Sequence, residues 1–220
     1  MAKRAAWVRI LPFLTYMLFI VLADLLTRAG WGEAQLRWLY PLKVGVVGLL
    51  LVVFWGQYQE LRQPRLKPAV LALSVLLGLV VWWLWVHLNA GWMLLGHSAG
   101  YDPRIGGQLF WPLAVARVLG AALVVPVMEE LFWRSYLMRW MEGANFEQIA
   151  PSMIKLKSFI VTVILFGIEH NLWLAGVAAG AVYSLLYMRT QNLWAPILSH
   201  AVTNGVLGVW IICTDNWAYW

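Results

Sequence analysis

Two adjacent glutamates and an arginine follow a long apolar run in the stretch VVPVMEELFWRSYLMRW, residues 124 to 140. Residues four apart share one face of a helix, so Glu130 and Arg134 are spaced to form an ion pair where water is scarce. Glu129 points in another direction and has no partner in the local sequence. Because burial favours the neutral form of a carboxyl group, Glu129 is suited to accept a proton and return it. The stretch indicates either a charged helix end at a membrane surface or a catalytic carboxylate within the membrane.

Polar side chains recur in two later apolar runs. FGIEHNLW contains His170, and LSHAVTNGV contains His200 and Asn204, which are four apart and share a helical face. Taken singly, His170 is explained as a helix cap, and His200 with Asn204 as hydrogen bonding between helices. Taken together with Glu129, they supply what hydrolysis of an amide inside a membrane requires. One group must activate water, and others must hold the oxyanion that forms on the attacked carbonyl.

Membrane helices are the elements that must position these residues. Of the 220 residues, 62% are hydrophobic and only 12% are charged, and the mean hydropathy is +0.72, which is typical of an integral membrane protein. We therefore predict an all-α fold, a polytopic membrane helix bundle of about seven (six to eight) transmembrane helices around a polar intramembrane cavity. The seven predicted spans are residues 10–27, 39–58, 68–88, 109–128, 157–171, 173–188 and 192–213.

The basic residues predict the orientation of the bundle. With the N-terminus in the cytoplasm, eleven of the 16 Lys and Arg residues fall on the inner side, as the positive-inside rule requires. The net charge of +6 is then explained by topology and by attraction to anionic lipid headgroups. We predict the lipid bilayer as a partner, and no nucleic acid. The single cysteine, Cys213, excludes an intramolecular disulfide and a zinc cluster built from cysteines.

Three motifs carry a family resemblance. EELFWR fits Glu-Glu-x-x-x-Arg, FGIEH fits Phe-x-x-x-His, and HAVTN fits His-x-x-x-Asn, in that order along the chain. This combination resembles the CPBP intramembrane proteases, which include the CAAX-processing endopeptidases. The resemblance covers about residues 109–213, whereas residues 1–108 add spans without a recognisable signature. Because no tandem repeat or low-complexity linker is present, we expect a single membrane domain, 1–220, with a protease core at 109–213.

The resemblance implies an intramembrane endopeptidase of the glutamic type, acting on a membrane-associated protein or peptide, including lipid-modified ones. Glu129 matches the catalytic glutamate that, with His170, holds and activates the attacking water. His200 and Asn204 match the pair that stabilises the oxyanion. No cofactor is implied.

Three further residues match supporting positions of the family. Glu130 and Arg134 match an ion pair, and Phe166 matches an aromatic residue one turn before the histidine, which we expect to act as a packing wedge. Many members read Phe-Arg-Gly around the arginine, whereas Trp133 and Ser135 flank Arg134 here. We expect the extra bulk to narrow the cleft.

Among the other charged residues, four allow a specific expectation. We expect Glu169 to face solvent at a helix end and Arg117 to extend outward from its helix. Asp24 and Arg28, four apart, are expected to form a structural pair.

Two alternative functions remain open from the sequence. Glu129, His170 and His200 supply two imidazoles and a carboxylate, which is also a known ligand set for catalytic zinc. A non-proteolytic scaffold or immunity-type protein of the same fold is the alternative from another class.

One geometric difficulty follows from the predicted spans. Straight helices place Glu129 near the inner face of the bilayer and His170 nearer the outer one, since each residue advances about 1.5 Å. For the two groups to meet, either the helix that starts near Leu109 is tilted or begins outside the bilayer, or residues 142–157 dip into it.

Overall fold

A computed structural model describes residues 2–63, 65–96 and 100–220. Within these ranges the chain is mostly helical, with one short hairpin at residues 104–109. The hairpin pairs β1 (Arg104–Ile105) antiparallel with β2 (Gln108–Leu109). Its two-residue turn needs positive φ at both positions, which glycines 106 and 107 supply. The helices are α1 (Ala2–Arg28), α2 (Glu33–Leu36), α3 (Leu39–Phe54), α4 (Pro68–His87), α5 (Trp111–Trp140), α6 (Leu156–Ile168), α7 (Trp173–Thr190) and α8 (Trp194–Thr214).

Each of the seven predicted spans corresponds to a helix, which confirms the all-α bundle. Five helical segments in the described chain are long and apolar enough to cross a membrane: Lys3–Arg28, Glu33–Gln57, Pro68–His87, Trp111–Trp140 and Trp194–Thr214. Helices α6 and α7 have 13 and 18 residues, and both match runs that were short in the sequence.

The predicted end of the fourth span was wrong. The sequence placed it at residue 128, but α5 continues to Trp140, so Glu129 and Glu130 lie inside a helix of 30 residues. The apolar run stops at 128 because the polar residues that follow are buried against other helices and need no lipid. Glu129 therefore lies within α5 and not at its end. The predicted difference in depth between Glu129 and His170 was based on the wrong helix end.

Helix α5 contains two wide π turns, Gly120–Val124 and Leu131–Leu137, on either side of the two glutamates. In the first turn the N–H of Val125 donates to the carbonyl of Gly120, five residues back. Pro126 follows directly, and a proline ring in a regular α-helix clashes with the carbonyl four residues before it. The wider turn accommodates that ring, and π turns of this kind are frequent at functional sites.

Small residues allow close packing of the helices around the later motifs. A side chain at Gly176 of α7 would place its Cβ 3.0 Å from the Cα of Gly167 on α6. On the other side, Thr203 of α8 donates a hydrogen bond of 2.9 Å to the carbonyl of Gly78 on α4. Such contacts are typical of helix pairs in membranes.

Candidate active site

One cavity of about 690 Å³ brings the candidate catalytic residues together. Glu129 from α5, His170 from the end of α6, and His200 and Asn204 from α8 all line it. Residues that are far apart in the sequence therefore face one space inside the bundle.

Glu129 is a buried carboxylate that lines this cavity. Its side chain is only 4% exposed, and its Oε2 is enclosed without a hydrogen-bond partner among the described residues. An enclosed carboxylate oxygen that accepts no hydrogen bond destabilises the charged form. Glu129 is therefore available to a molecule that enters the cavity.

Glu130 lies behind the cavity wall and is paired on one side. Its Oε1 accepts a hydrogen bond of 3.0 Å from Nη1 of Arg134, and both side chains are fully buried. The predicted ion pair is thus confirmed as a contact. The same oxygen lies 3.1 Å from Nδ1 of His200, which the sequence did not predict. Glu130 therefore connects α5 to α8 through two partners.

Phe166 packs between the charged residues and the histidines. The Arg134 guanidinium lies 4.3 Å from the centroid of its ring, and the rings of His170 and His200 lie at 4.7 Å and 6.2 Å. Arg134 also donates hydrogen bonds to Ser184 and to the carbonyl of Gly180 on α7. These contacts fix the position of the Arg134 guanidinium group and, through it, the position of the Glu130 carboxylate.

The two histidines each have one ring nitrogen engaged. Nδ1 of His170 lies 2.7 Å from the carbonyl oxygen of Phe166. Because a carbonyl only accepts, Nδ1 carries the proton and Nε2 is the free nitrogen. Nδ1 of His200 faces the Glu130 carboxylate in the same way. The ring of His200 also stacks on Tyr183, with centroids 4.8 Å apart.

Asn204 is oriented by a carbonyl that α5 leaves without a helical partner. Its Nδ2 donates a hydrogen bond of 2.9 Å to the carbonyl of Ala121. The nearby helical N–H of Val125 goes to Gly120 instead, and Pro126 has no N–H to offer. The π turn therefore exposes the Ala121 carbonyl to Asn204. The second N–H of the amide group remains for another acceptor.

Comparison with known families agrees with the motifs. Residues 111–206 match the family described as Rce1-like, Type II CAAX prenyl endopeptidase Rce1-like. No curated protein and no solved structure matches the chain significantly. The family match and the five apolar helices indicate an integral membrane protein.

Two expectations about side chains near the Rce1-like motifs were wrong. Trp133 does not line the cavity. It is buried against Phe13 and Phe166, and its indole N–H donates to Oε2 of Glu169 at 3.1 Å. Glu169 accordingly turns toward the bundle and lines the cavity instead of facing solvent. Both differences arise because the Trp133 indole N–H and the Glu169 carboxylate form a hydrogen bond with each other.

Arg117 does not extend outward from its helix, which corrects the sequence-based expectation. It lines the cavity, and its guanidinium lies over the ring of Tyr40 at 4.0 Å. The face of an aromatic ring attracts a cation, whereas lipid chains do not. Asp24 and Arg28 form the expected exposed pair at 2.9 Å.

Sequence reasoning missed several side chains that position the Rce1-like site. Tyr183 stacks on His200 and donates through its hydroxyl to Thr203 at 2.8 Å. The ring of Trp85 meets His170 edge-on at 5.3 Å. The sequence offered two signals of a structured site. One is a tyrosine within the small-residue run AGVAAGAVYS, and the other is Pro126 within an apolar run.

The placement of the side chains gives the zinc alternative no support. Among the described residues, no group of three His, Cys, Asp or Glu side chains is placed to hold a metal ion. No step of the reaction below is assigned to a metal.

Proposed function

We propose that this protein is an intramembrane endopeptidase of the glutamic type that cleaves a prenylated, membrane-associated protein or peptide. The observation that carries the proposal is the convergence of Glu129, His170, His200 and Asn204 on one cavity. These four residues lie within the segment that matches the Rce1-like family. The substrate class follows from the family description.

Water activation is assigned to Glu129 and His170. Glu129 accepts a proton from a water molecule that is also hydrogen-bonded to Nε2 of His170. The resulting hydroxide attacks the carbonyl carbon of the scissile amide. Glu129 then returns the proton to the leaving nitrogen as the C–N bond breaks. The products are a new carboxyl terminus and a released peptide with a free amine.

The oxyanion that forms during attack is assigned to His200 and Asn204. The remaining N–H of Asn204 and the Nε2–H of His200 donate to it. Nδ1 of His200 faces the Glu130 carboxylate, so Nε2 donates only in the imidazolium form, in which both nitrogens carry a proton. Burial opposes that form, and the Glu130 carboxylate acts against the effect of burial. Glu130, Arg134 and Phe166 support this arrangement by fixing the ring of His200 through the contacts described above.

The orientation and extent of the enzyme are part of the same proposal. We place the N-terminus in the cytoplasm because most of the basic residues then lie inside. We assign the protease core to residues 109–213 and treat residues 1–220 as one membrane domain. Tyr16 and Tyr40, from the first 108 residues, support this assignment because they line the same cavity as Glu129.

The test is cleavage of a farnesylated peptide with a C-terminal C-a-a-X sequence by purified protein in detergent, followed by mass spectrometry. Glu129→Gln keeps the size of the side chain but cannot take a proton, so we expect turnover to fall by about 10² to 10⁴. Thermal stability should be retained, since a buried unpaired carboxylate is removed.

Glu169→Gln is the matched control, because it makes the same change on another carboxylate that lines the cavity. Its glutamine still accepts the hydrogen bond from Trp133, and we expect turnover to remain. Loss of turnover in Glu169→Gln together with normal turnover in Glu129→Gln would move the role of base to Glu169. Activity lost to chelators and restored by zinc would favour a metalloprotease. A phenotype in cells that survives Glu129→Gln would favour a non-proteolytic scaffold.

A further inference from the structure

Two cationic side chains that line the cavity have no anion beside them. Lys43 on α3 and Arg117 on α5 both line the cavity that contains Glu129. No carboxylate in the described part of the chain lies within ion-pair distance of either one. Unpaired charges are costly in a poorly solvated interior. A bound anion would therefore stabilise both groups.

The ring of Tyr40 brings these two cations together. The Arg117 guanidinium lies 4.0 Å from its centroid, and Nζ of Lys43 lies 5.1 Å from the same centroid and 3.9 Å from that of Tyr16. The Tyr40 hydroxyl donates to the carbonyl of Arg117 at 3.3 Å, which anchors the ring. Nε of Arg117 is enclosed and has no hydrogen-bond partner among the described residues. A guanidinium fixed by its face presents its edge, which matches the planar geometry of a carboxylate.

The distance from these cations to Glu129 suits a short peptide. Arg117 and Glu129 are twelve positions apart on α5, which corresponds to about 18 Å along the helix axis at about 1.5 Å per residue. An extended peptide covers that distance in about five residues at about 3.3 to 3.6 Å each. It needs fewer where the two side chains extend into the cavity. Three residues follow the cysteine of a C-a-a-X motif, which stands at the C-terminus of its protein. They cover about 10 to 11 Å when extended, and the side chains of Arg117 and Glu129 must reach across the remaining distance.

We propose that Lys43 and Arg117 form a carboxylate-binding subsite for the free C-terminus of the substrate. This inference rests on the proposed function, because it places a peptide across the cavity with its scissile bond at Glu129. The subsite makes the enzyme selective for a free C-terminus near the cut. An internal peptide segment, which has no terminal carboxylate, is held less well.

The experiment compares two farnesylated C-a-a-X peptides that differ only in a C-terminal carboxylate or carboxamide. Binding is measured by fluorescence on Glu129→Gln protein in neutral detergent, so that the peptides stay intact. We expect the acid to bind about 10- to 100-fold more tightly than the amide, as a charge-assisted hydrogen bond gives. Adding Arg117→Gln or Lys43→Gln should reduce that ratio toward one, and Arg117→Lys should keep part of it.

Arg62→Gln is the matched control, because Arg62 is an exposed arginine that does not line the cavity. The acid-to-amide ratio should be unchanged in this variant. Melting temperatures of all variants establish that they are folded, and Lys43→Gln tests the subsite even if Arg117→Gln does not fold.

Equal binding of the acid and the amide by the Glu129→Gln protein would overturn the subsite. A lipid phosphate as the natural occupant would give that result. In that case, added phosphatidylglycerol would also raise the melting temperature of wild-type protein but not of Arg117→Gln. Failure of the proposed function is a separate outcome: wild-type protein would cleave neither peptide, whatever their relative affinities.

Discussion

The described part of the bundle contains two groups of mostly buried polar and charged side chains, and they differ in how completely their charges are paired. The first, which we call the Arg9 cluster, consists of Arg9, Glu60, Ser135, Arg139 and Glu147. Nε and Nη2 of Arg9 donate to the two oxygens of Glu60 at 2.8 Å and 2.7 Å, and Nη2 also contacts Glu147 at 3.3 Å. Ser135 donates to Glu60 and accepts from Nη2 of Arg139 at 2.8 Å.

The second group, at the cavity that contains Glu129, leaves acceptors without a partner. Oε2 of Glu129 and Oε2 of Glu130 are both enclosed without a partner among the described residues. A fully paired cluster stabilises the fold, whereas an unpaired carboxylate next to a cavity costs stability and is free for chemistry. We therefore expect changes in the Arg9 cluster to affect unfolding, and changes at the cavity to affect turnover.

The largest effect should come from Arg134→Leu, because Arg134 belongs to the site but is buried and paired. The change leaves the Glu130 carboxylate buried with only His200 beside it, so we expect a loss of about 3 to 5 kcal/mol in stability and also of turnover. Thermal unfolding and peptide cleavage measure the two losses. Arg62→Leu, an exposed arginine, serves as the control. An unchanged melting temperature in Arg134→Leu would show that the pair contributes nothing to stability.

Asn204→Ala should lower turnover by about 10² to 10³, which is the effect of losing one oxyanion donor. Stability should change much less, because only the hydrogen bond to the Ala121 carbonyl is lost. Steady-state cleavage of the farnesylated peptide measures the first, and thermal unfolding the second. Asn145→Ala makes the same change on an exposed loop and should be neutral. Equal turnover in both variants would remove Asn204 from the mechanism.

Glu60→Gln should lower the stability by about 2 kcal/mol, since hydrogen bonds to charged groups contribute about 1.5 to 3 kcal/mol. Turnover per folded molecule should not change. Burial alone would raise the pKa of Glu60, but the hydrogen bonds from Arg9 and Ser135 outweigh it and hold the pKa below its ordinary value. The stabilisation is thus complete above the ordinary glutamate pKa and is lost as the pH falls through the lowered one. Measuring the free energy of unfolding at several pH values tests the sign of this pH dependence. A large loss of turnover without a loss of stability would contradict the comparison.

Pro126→Ala should have the smallest effect, a loss of about tenfold in turnover from a misplaced Asn204. The new N–H at position 126 competes for the Ala121 carbonyl, while removing a proline from a helix interior leaves the stability equal or higher. Pro12→Ala, inside α1, is the control for the loss of proline alone. If both variants turn over peptide like wild type, the π turn does not orient Asn204.

Much of the fold was predictable from the sequence because lipid-facing helices must be apolar along their length. The starts and ends of α4 and α8 were predicted to within two residues for this reason. The end of α5 was not, since hydropathy reports contact with lipid and not helix continuity. Once Glu129 and the residues after it are buried by neighbouring helices, the helix continues without an apolar signal.

The site was predictable where spacing along one helix decides the contact. Glu130 and Arg134 are four apart and pair as expected. Contacts between helices, such as those of Glu130 with His200 and of Trp133 with Glu169, depend on helix rotation that one sequence does not encode locally. The π turns also shift the faces of α5, so a regular period of 3.6 residues does not describe where Arg117 and Trp133 point.

Arg117 and Glu129 are part of one continuous helix, and this has a consequence for membranes of different thickness. Helices respond to a thinner or thicker bilayer mainly by tilting. Tilt changes the positions of α6 and α8 relative to α5, but it leaves the separation of two residues on the same helix unaltered. Lipid chain length should therefore change how fast the peptide is cut while the position of the cut stays the same.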